Sequence, residues 1–273
     1  MTTSTADTLR LFDTTIKYAE PGSHAIFYPT EREKSHWPTE EHVVPMHNMR
    51  PLTDELSFDR NGFVLATSPS AVTDFCDSAE VERVYVPEIR NLVRSLTGAE
   101  TVITFGIMVR SDARKTTDGA LPSFGAHIDY GGRTVRQFSE DILGKAEADR
   151  LLKRRHFLIN AWRPIKPVER APLAVLDAST VAAGDLNDSE IRGGLGDPNR
   201  PPMYGFNLSY NPRHVWYYAP RMQPSEILLF KLYDSDANKV QWTGHTAFDD
   251  PTAAPDALPR ESIELRTISF MPE

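Results

Sequence analysis

The chemistry this chain can do is concentrated in one short segment, Phe124-Gly-Ala-His127-Ile-Asp129-Tyr130. On a strand, residues i and i+2 project to the same face, so the His127 imidazole and the Asp129 carboxylate can converge on one ion. Two ligands alone do not make a site, and a third must arrive from a distant strand. His245 is the candidate. It lies in Gly244-His245-Thr246-Ala247-Phe248, after the buried-strand pattern Pro224-Ser-Glu-Ile-Leu-Leu-Phe230 and a polar loop, whereas His214 precedes that pattern. Two histidines and one carboxylate on one face of a metal leave coordination positions open, which favours ferrous iron with room for a bidentate co-substrate and dioxygen. The same three side chains are also compatible with a hydrogen-bonded structural cluster. His24, His36, His42 and His47 show no metal-ligand spacing and read as exposed loop residues.

A second feature lies 15 residues beyond His245, in Arg260-Glu-Ser262-Ile-Glu-Leu-Arg266-Thr-Ile-Ser-Phe270. Read as a strand, it places Arg260, Ser262, Glu264 and Arg266 on one parity and Ile263 and Leu265 on the other. A guanidinium with a hydroxyl two residues on receives a carboxylate well, because both donate hydrogen bonds to it. Such an anchor beside a metal is what 2-oxoglutarate requires. Six residues of straight strand span about 20 Å, so both arginines reach one small diacid only through curvature. Arg260 therefore ranks first and Arg266 second.

For a substrate, Arg163 in Trp162-Arg163-Pro164 suits an acidic group, or else pairs with Asp177. Asn160 shares the parity of Trp162 and not of Arg163, so all three cannot face inward. Tyr130, Phe206, Tyr210 and Trp216 are candidate pocket walls or core aromatics, and Asn207 or Tyr210 is a candidate donor to the co-substrate.

The elements that must position these groups are mostly strands. Thr101–Arg110 is rich in β-branched residues, and beyond residue 156 short strand-like runs alternate with turn signals, as in an antiparallel sandwich or barrel. The simplest reading is mainly β with flanking helices: a jelly-roll core over 101–273 and an irregular N-terminal extension with helices over 1–100. Helices are expected over Ala71–Leu96, divided at Pro87 and stopped at Gly98, and over about Ser139–Arg155, capped by Ser139. Ser111–Ser123 and Gly184–Pro202 read as loops able to cover a site.

Composition excludes several classes. Lys and Arg total 30 against 38 Asp and Glu, a net charge of −8, so no basic field draws a nucleic acid. The basic run at Lys153-Arg154-Arg155 reads as a solvated helix end. One cysteine, Cys76, rules out an intrachain disulfide framework and a thiolate-rich metal centre. No apolar run approaches the roughly 20 residues that span a bilayer, and the polar start lacks a secretory pattern. A cytoplasmic protein acting on a small molecule, with no membrane partner, is the expectation.

Gly-x-His127-x-Asp129-Tyr130, Asn160-x-Trp162-Arg163-Pro164, Pro172-Leu173, Asp177, Met222-x-Pro224-x-Glu226-x-Leu228, Phe230-Lys231, Asp234-Ser235, Gly244-His245-x-Ala247-Phe248 and Arg260-x-Ser262-Ile263-Glu264-x-Arg266 occur in that order. This series, over roughly residues 100–270, resembles the fungal and bacterial hydroxylase/desaturase family typified by AsaB, which includes gibberellin desaturase-like and CmcJ-like proteins. The resemblance implies a double-stranded β-helix (jelly-roll, cupin-like) fold and dependence on Fe(II) and 2-oxoglutarate, with dioxygen as co-reactant. It also implies a small-molecule, secondary-metabolic substrate. The arginine pair six apart is similar to the co-substrate site of oxygenases that demethylate alkylated bases. Two rival readings stand beside this one. One is a non-oxidising metabolite-binding accessory to a partner enzyme, as CmcJ-like relatives suggest; the other is a metal-dependent isomerase or hydrolase on the same scaffold.

Overall fold

The structure, a computed structural model, describes residues 9–29, 31–111, 121–193, 197 and 199–273. Its strands form two sheets. The smaller is antiparallel throughout, in the order β4 (Phe63–Thr67), β12 (Glu226–Asp234), β7 (His156–Pro164), β14 (Glu261–Phe270), β5 (Thr101–Ser111). The larger runs β1 (Arg10–Ala19), β3 (Thr39–Asn48), β11 (Trp216–Tyr218), β8 (Leu173–Leu176), β13 (His245–Ala247), β6 (His127–Ile128), β10 (Met203–Leu208), β9 (Leu186–Ile191), β2 (Ala25–Phe27).

The apolar stretches of β7 and β12, and the almost complete burial of the more polar β14, arise because the smaller sheet is covered on both faces. Leu158, Trp162, Leu228, Phe230, Ile268 and Phe270 face the larger sheet, while Ile159, Ala161, Ile227, Leu229, Ile263 and Leu265 pack under α1 (Val86–Thr97). Each of the leucine, isoleucine and phenylalanine side chains stabilises the fold by about 1.5–3 kcal/mol. The helix presents Val86, Ile89 and Val93 to them, as its three- and four-residue spacing predicts. Pro87 changes the pitch without breaking the helix. A π turn, Val81–Tyr85, directly precedes it and relaxes the demand for an N–H at that position. Gly98, at φ 72°, ends α1.

Several expectations differ from the structure. The helix expected from Ala71 begins only at Ser78, and Pro87 does not divide it. The N-terminal segment is not irregular: β1 and β3 pair over most of their length, from Phe12 opposite Met46 to Ala19 opposite Thr39. The buried alternation Thr14, Ile16, Tyr18 was legible, but Pro45 inside β3 disguised its partner. Beyond β3, Ala19 bridges to Ser209 and the Ala126 N–H donates to the Lys17 carbonyl. Ser139 caps nothing. It is buried within α2 (Gly132–Leu143), its hydroxyl donating to the Val135 carbonyl, and Gly144 at φ 77° separates α2 from α3 (Lys145–Leu151). Gly184–Pro202 is not all loop, because β9 lies within it. Of Ser111–Ser123, residues 112–120 lie outside the described residues.

On β12, the buried Asp234 carboxylate accepts from Arg155 at 3.1 and 2.7 Å and from Lys231 Nζ at 2.9 Å. Burial pushes this carboxyl up, but Arg155 and Lys231 outweigh it and hold it below the usual value. Its contribution is therefore present above the ordinary carboxylate range and is lost as pH falls through the depressed value. Asp234→Asn is expected to cost about 2 kcal/mol at pH 7 and clearly less at pH 3. Urea unfolding at the two pH values reads this directly, and an equal loss at both would contradict it.

Candidate active site

The site forms where β6 and β13 meet. His127 and His245 are cross-strand partners, with ring centroids 4.3 Å apart. Asp129 follows β6, and its Oδ1 lies 3.4 Å from His127 Nε2 and 3.8 Å from His245 Nε2. One ligand atom from each residue lies within 4.8 Å of the other two. His214 is elsewhere: its Nε2 lies 3.2 Å from Asp185 Oδ2 and its ring stacks on Tyr18.

Local contacts aim the ligand atoms. His127 Nδ1 donates to the Gly125 carbonyl at 2.8 Å, which leaves Nε2 as the lone-pair nitrogen facing the site. Gly125 sits at φ 145° under the Trp37 ring, where no Cβ fits. At Gly205 on β10 a Cβ would lie 2.3 Å from the Asp129 carbonyl, so only glycine lets the strand approach the ligand this closely. Burial, and then the neighbouring His127, push the His245 imidazole down to about 3. It is therefore neutral at physiological pH and its lone pair is available.

The two oxygens of Asp129 have separate tasks. Oδ1 faces the histidines, while Oδ2 accepts from Arg266 Nε at 3.1 Å, Arg266 Nη2 at 2.9 Å and Asn160 Nδ2 at 3.3 Å. Burial raises this carboxyl, but Arg266 and then the histidines overcome the effect and hold it well below the usual carboxylate range. Arg266 also donates to Glu264 at 2.6 Å and to the Gly106 carbonyl at 2.9 Å, and Arg110 donates to the same Glu264 oxygen. The side chain ranked second as a co-substrate anchor is thus committed to Asp129. Asn160 and Arg266 are register neighbours on β7 and β14, which is how both reach one carboxylate oxygen.

Arg260 lies beside Trp162, its guanidinium carbon 5.5 Å from the ring centroid, and its Nη1 donates to the Ala171 carbonyl at 2.7 Å. The Ser262 hydroxyl and the Trp162 indole N–H are both buried and have no hydrogen-bond partner. Buried polar atoms are rarely left so without a ligand to satisfy them. Two imidazoles and one carboxylate suit Fe(II), and the orphaned hydroxyl and indole beside Arg260 suit a carboxylate of 2-oxoglutarate.

The proposed substrate contacts are distributed differently. Arg163 lies on the other face of β7 from Asn160 and Trp162, over Tyr85 at 5.5 Å and donating to the Pro224 carbonyl, so the sheet separates it from the triad. Its alternative partner, Asp177, is bonded instead to Asn61 and Ser179. Trp216 donates to the Tyr18 hydroxyl at 2.6 Å and Tyr210 stacks on His42 at 3.9 Å. These two belong to an aromatic cluster on the far face of the larger sheet, since it is Tyr217 that shares the Val175–His245 row. Tyr130 is buried against Phe105 and under Arg266, and so backs Asp129. Of the N-terminal histidines, His47 is buried and bonded to the Trp216 carbonyl.

Two curled β-sheets with a His-x-Asp and a distant histidine between them define the class of the double-stranded β-helix oxygenases. The family described as Oxidoreductase/YMDC permease-like domain matches residues 12–270. The chain is 33% identical over 254 residues to the hydroxylase/desaturase efuI of Hormonema carpetanum, covering 83% of each protein. It is 32% identical over 235 residues to the Fe(II)/2-oxoglutarate-dependent dioxygenase nvfI of Aspergillus novofumigatus, covering 84% of this chain and 83% of that one. Among solved structures, the iron and alpha-ketoglutarate-dependent endoperoxidase NvfI superposes with a TM-score of 0.85 at 26% identity, over 97% of this chain and 100% of that chain. The chain belongs to this oxidoreductase family, together with the hydroxylase/desaturases it resembles in sequence. Among the described residues no helix is long and apolar enough to cross a membrane.

Proposed function

We propose that this chain catalyses the Fe(II)- and 2-oxoglutarate-dependent oxidation of a small molecule, by hydroxylation, desaturation or oxidative cyclisation. The observation that carries the reading is the convergence of His127, Asp129 and His245, with the unpaired Ser262 hydroxyl on the same strand as Arg266, the partner of Asp129. A partial relative, the aspirochlorine biosynthesis protein N of Aspergillus oryzae, 37% identical over 128 residues and 45% of this chain, supports a secondary metabolite as the substrate class. When bound, iron with 2-oxoglutarate and dioxygen supplies the oxidising power for C–H cleavage.

The protein's own residues do the positioning. His245 presents a neutral nitrogen, and the Gly125 carbonyl holds His127 Nδ1 so that Nε2 faces the site. Asp129 offers one oxygen while Arg266 and Asn160 hold the other. Arg260 and Ser262 neutralise and orient the far carboxylate of the co-substrate. Phe230, packed on His245 at 4.6 Å, helps keep water from the ligand it touches.

Anaerobic addition of Fe(II) and 2-oxoglutarate should produce a visible charge-transfer band, and succinate should then form only with substrate and oxygen. Absence of the band in folded protein would remove this reading in favour of a non-oxidising accessory protein. Arg260→Ala is expected to raise KM for 2-oxoglutarate about 10- to 100-fold, with a smaller effect on kcat, because it deletes a charge-assisted contact. Steady-state kinetics with varied 2-oxoglutarate measures this, and an unchanged KM would move the anchor elsewhere.

A further inference from the structure

Asn207 lies on β10, 3% exposed, directly opposite His127 in the β6–β10 ladder. His245 is opposite His127 on the other side. Residues paired across a ladder share a face, so His245, His127 and Asn207 form one row directed at the smaller sheet. An ion held by the two histidines therefore has Asn207 on the side away from His245.

The Asn207 side-chain N–H group is buried and has no hydrogen-bond partner. Its surroundings are already satisfied. Asn187 Nδ2 donates to the Asn207 carbonyl, the Asp185 carbonyl and Ser209 Oγ, while Asn187 Oδ1 accepts from the Gly22 N–H. A buried donor at this place calls for an acceptor brought by a ligand. Tyr210, the other candidate from the sequence, stacks on His42 on the far face.

Resting on the function proposed above, we propose that Asn207 is a co-substrate-binding residue whose Nδ2 donates to the carboxylate adjoining the keto group of 2-oxoglutarate. The distal carboxylate is excluded by placement. Arg260 reaches the chain just before β8, through Ala171, and β8 is separated from β10 by β13 and β6. Three strand spacings amount to about 14 Å, so Arg260 and Asn207 address opposite ends of one ligand.

The test is an anaerobic titration of Fe(II)-loaded enzyme with 2-oxoglutarate, following both affinity and the position of the charge-transfer band. Asn207→Ala should weaken 2-oxoglutarate binding about 10- to 100-fold and shift the band, because the lost bond is to the chelating end. Arg260→Ala should weaken binding without shifting the band. Asn207→Asp keeps the shape, replaces the donor with an acceptor, and should lose at least as much affinity; it decides the matter should the alanine variant fail to fold. Unchanged affinity, or weaker binding with an unmoved band, in the Asn207 variants overturns the assignment. If the wild-type enzyme gives no band, the proposed function itself has failed and this assignment falls with it. Normal wild-type binding with normal variants sinks the Asn207 role alone.

Discussion

His127→Ala is expected to give a folded protein that no longer binds Fe(II) tightly or turns over substrate. Removing a residue that merely orients a metal ligand commonly costs 10–100-fold in affinity or activity, so deleting a ligand should cost more than about 100-fold. His127 is the most informative of the three positions because it is the least embedded. Its side chain keeps 16% exposure, and its hydrogen bond goes to the Gly125 carbonyl two residues away. Stability should therefore change by less than about 1 kcal/mol, as for partly exposed positions. His245→Ala is a poorer test, since that ring is packed against Phe230 and its loss leaves a void. Calorimetric titration with Fe(II), succinate formation and a thermal melt on one His127→Ala sample separate the two effects. Turnover at the wild-type rate would show that the cluster is structural, as the metal-free reading of the sequence allowed.

The metal triad was legible because its information is local and periodic. His127 and Asp129 are two apart on a strand-like segment, and the third ligand could be chosen from the apolar run that precedes His245. The smaller sheet was legible for a related reason: burial on both faces makes Phe157–Trp162, Glu226–Tyr233 and Ser262–Phe270 apolar or of fixed parity. What a single sequence hides is which face of a strand meets which neighbour. The parity argument already separated Arg163 from Asn160 and Trp162, and β7 places it on the α1 side. Trp216 offered no such warning, because its orientation is set by the pairing of Tyr217 with Val175, a non-local contact. Arg266 shares its parity with Arg260 as expected. Its commitment to Asp129, however, depends on the register that puts it beside Asn160. The pairing of β1 with β3 was missed for the same reason, since two modest strands become convincing only once their partners are known.

Arg266→Ala is expected to be the most damaging single change to stability. It leaves Asp129 and Glu264, both buried, without the cation between them; Glu264 retains Arg110, but Asp129 retains only the amide of Asn160 among its Oδ2 partners. Breaking a buried ion pair from one side costs about 3–5 kcal/mol, a large share of the 5–15 kcal/mol that holds a domain folded. The pH dependence identifies the cause. In the wild type Asp129 is held well below the usual carboxylate range, so its contribution is present at neutral pH and is lost only as pH falls through that depressed value. Without Arg266 the burial effect dominates and the carboxyl moves upward. The folded variant then prefers a protonated Asp129, and its deficit against the wild type grows as pH rises from about 4 to 7. Arg266→Met fills most of the volume without the charge and should behave like alanine in this respect. Arg266→Lys, which lacks the forked donors, should recover only part of the loss. Denaturant unfolding of the four proteins at pH 4 and 7 makes the comparison. A deficit that is the same at both pH values, and that methionine repairs, would mean that Arg266 acts through packing and not through charge.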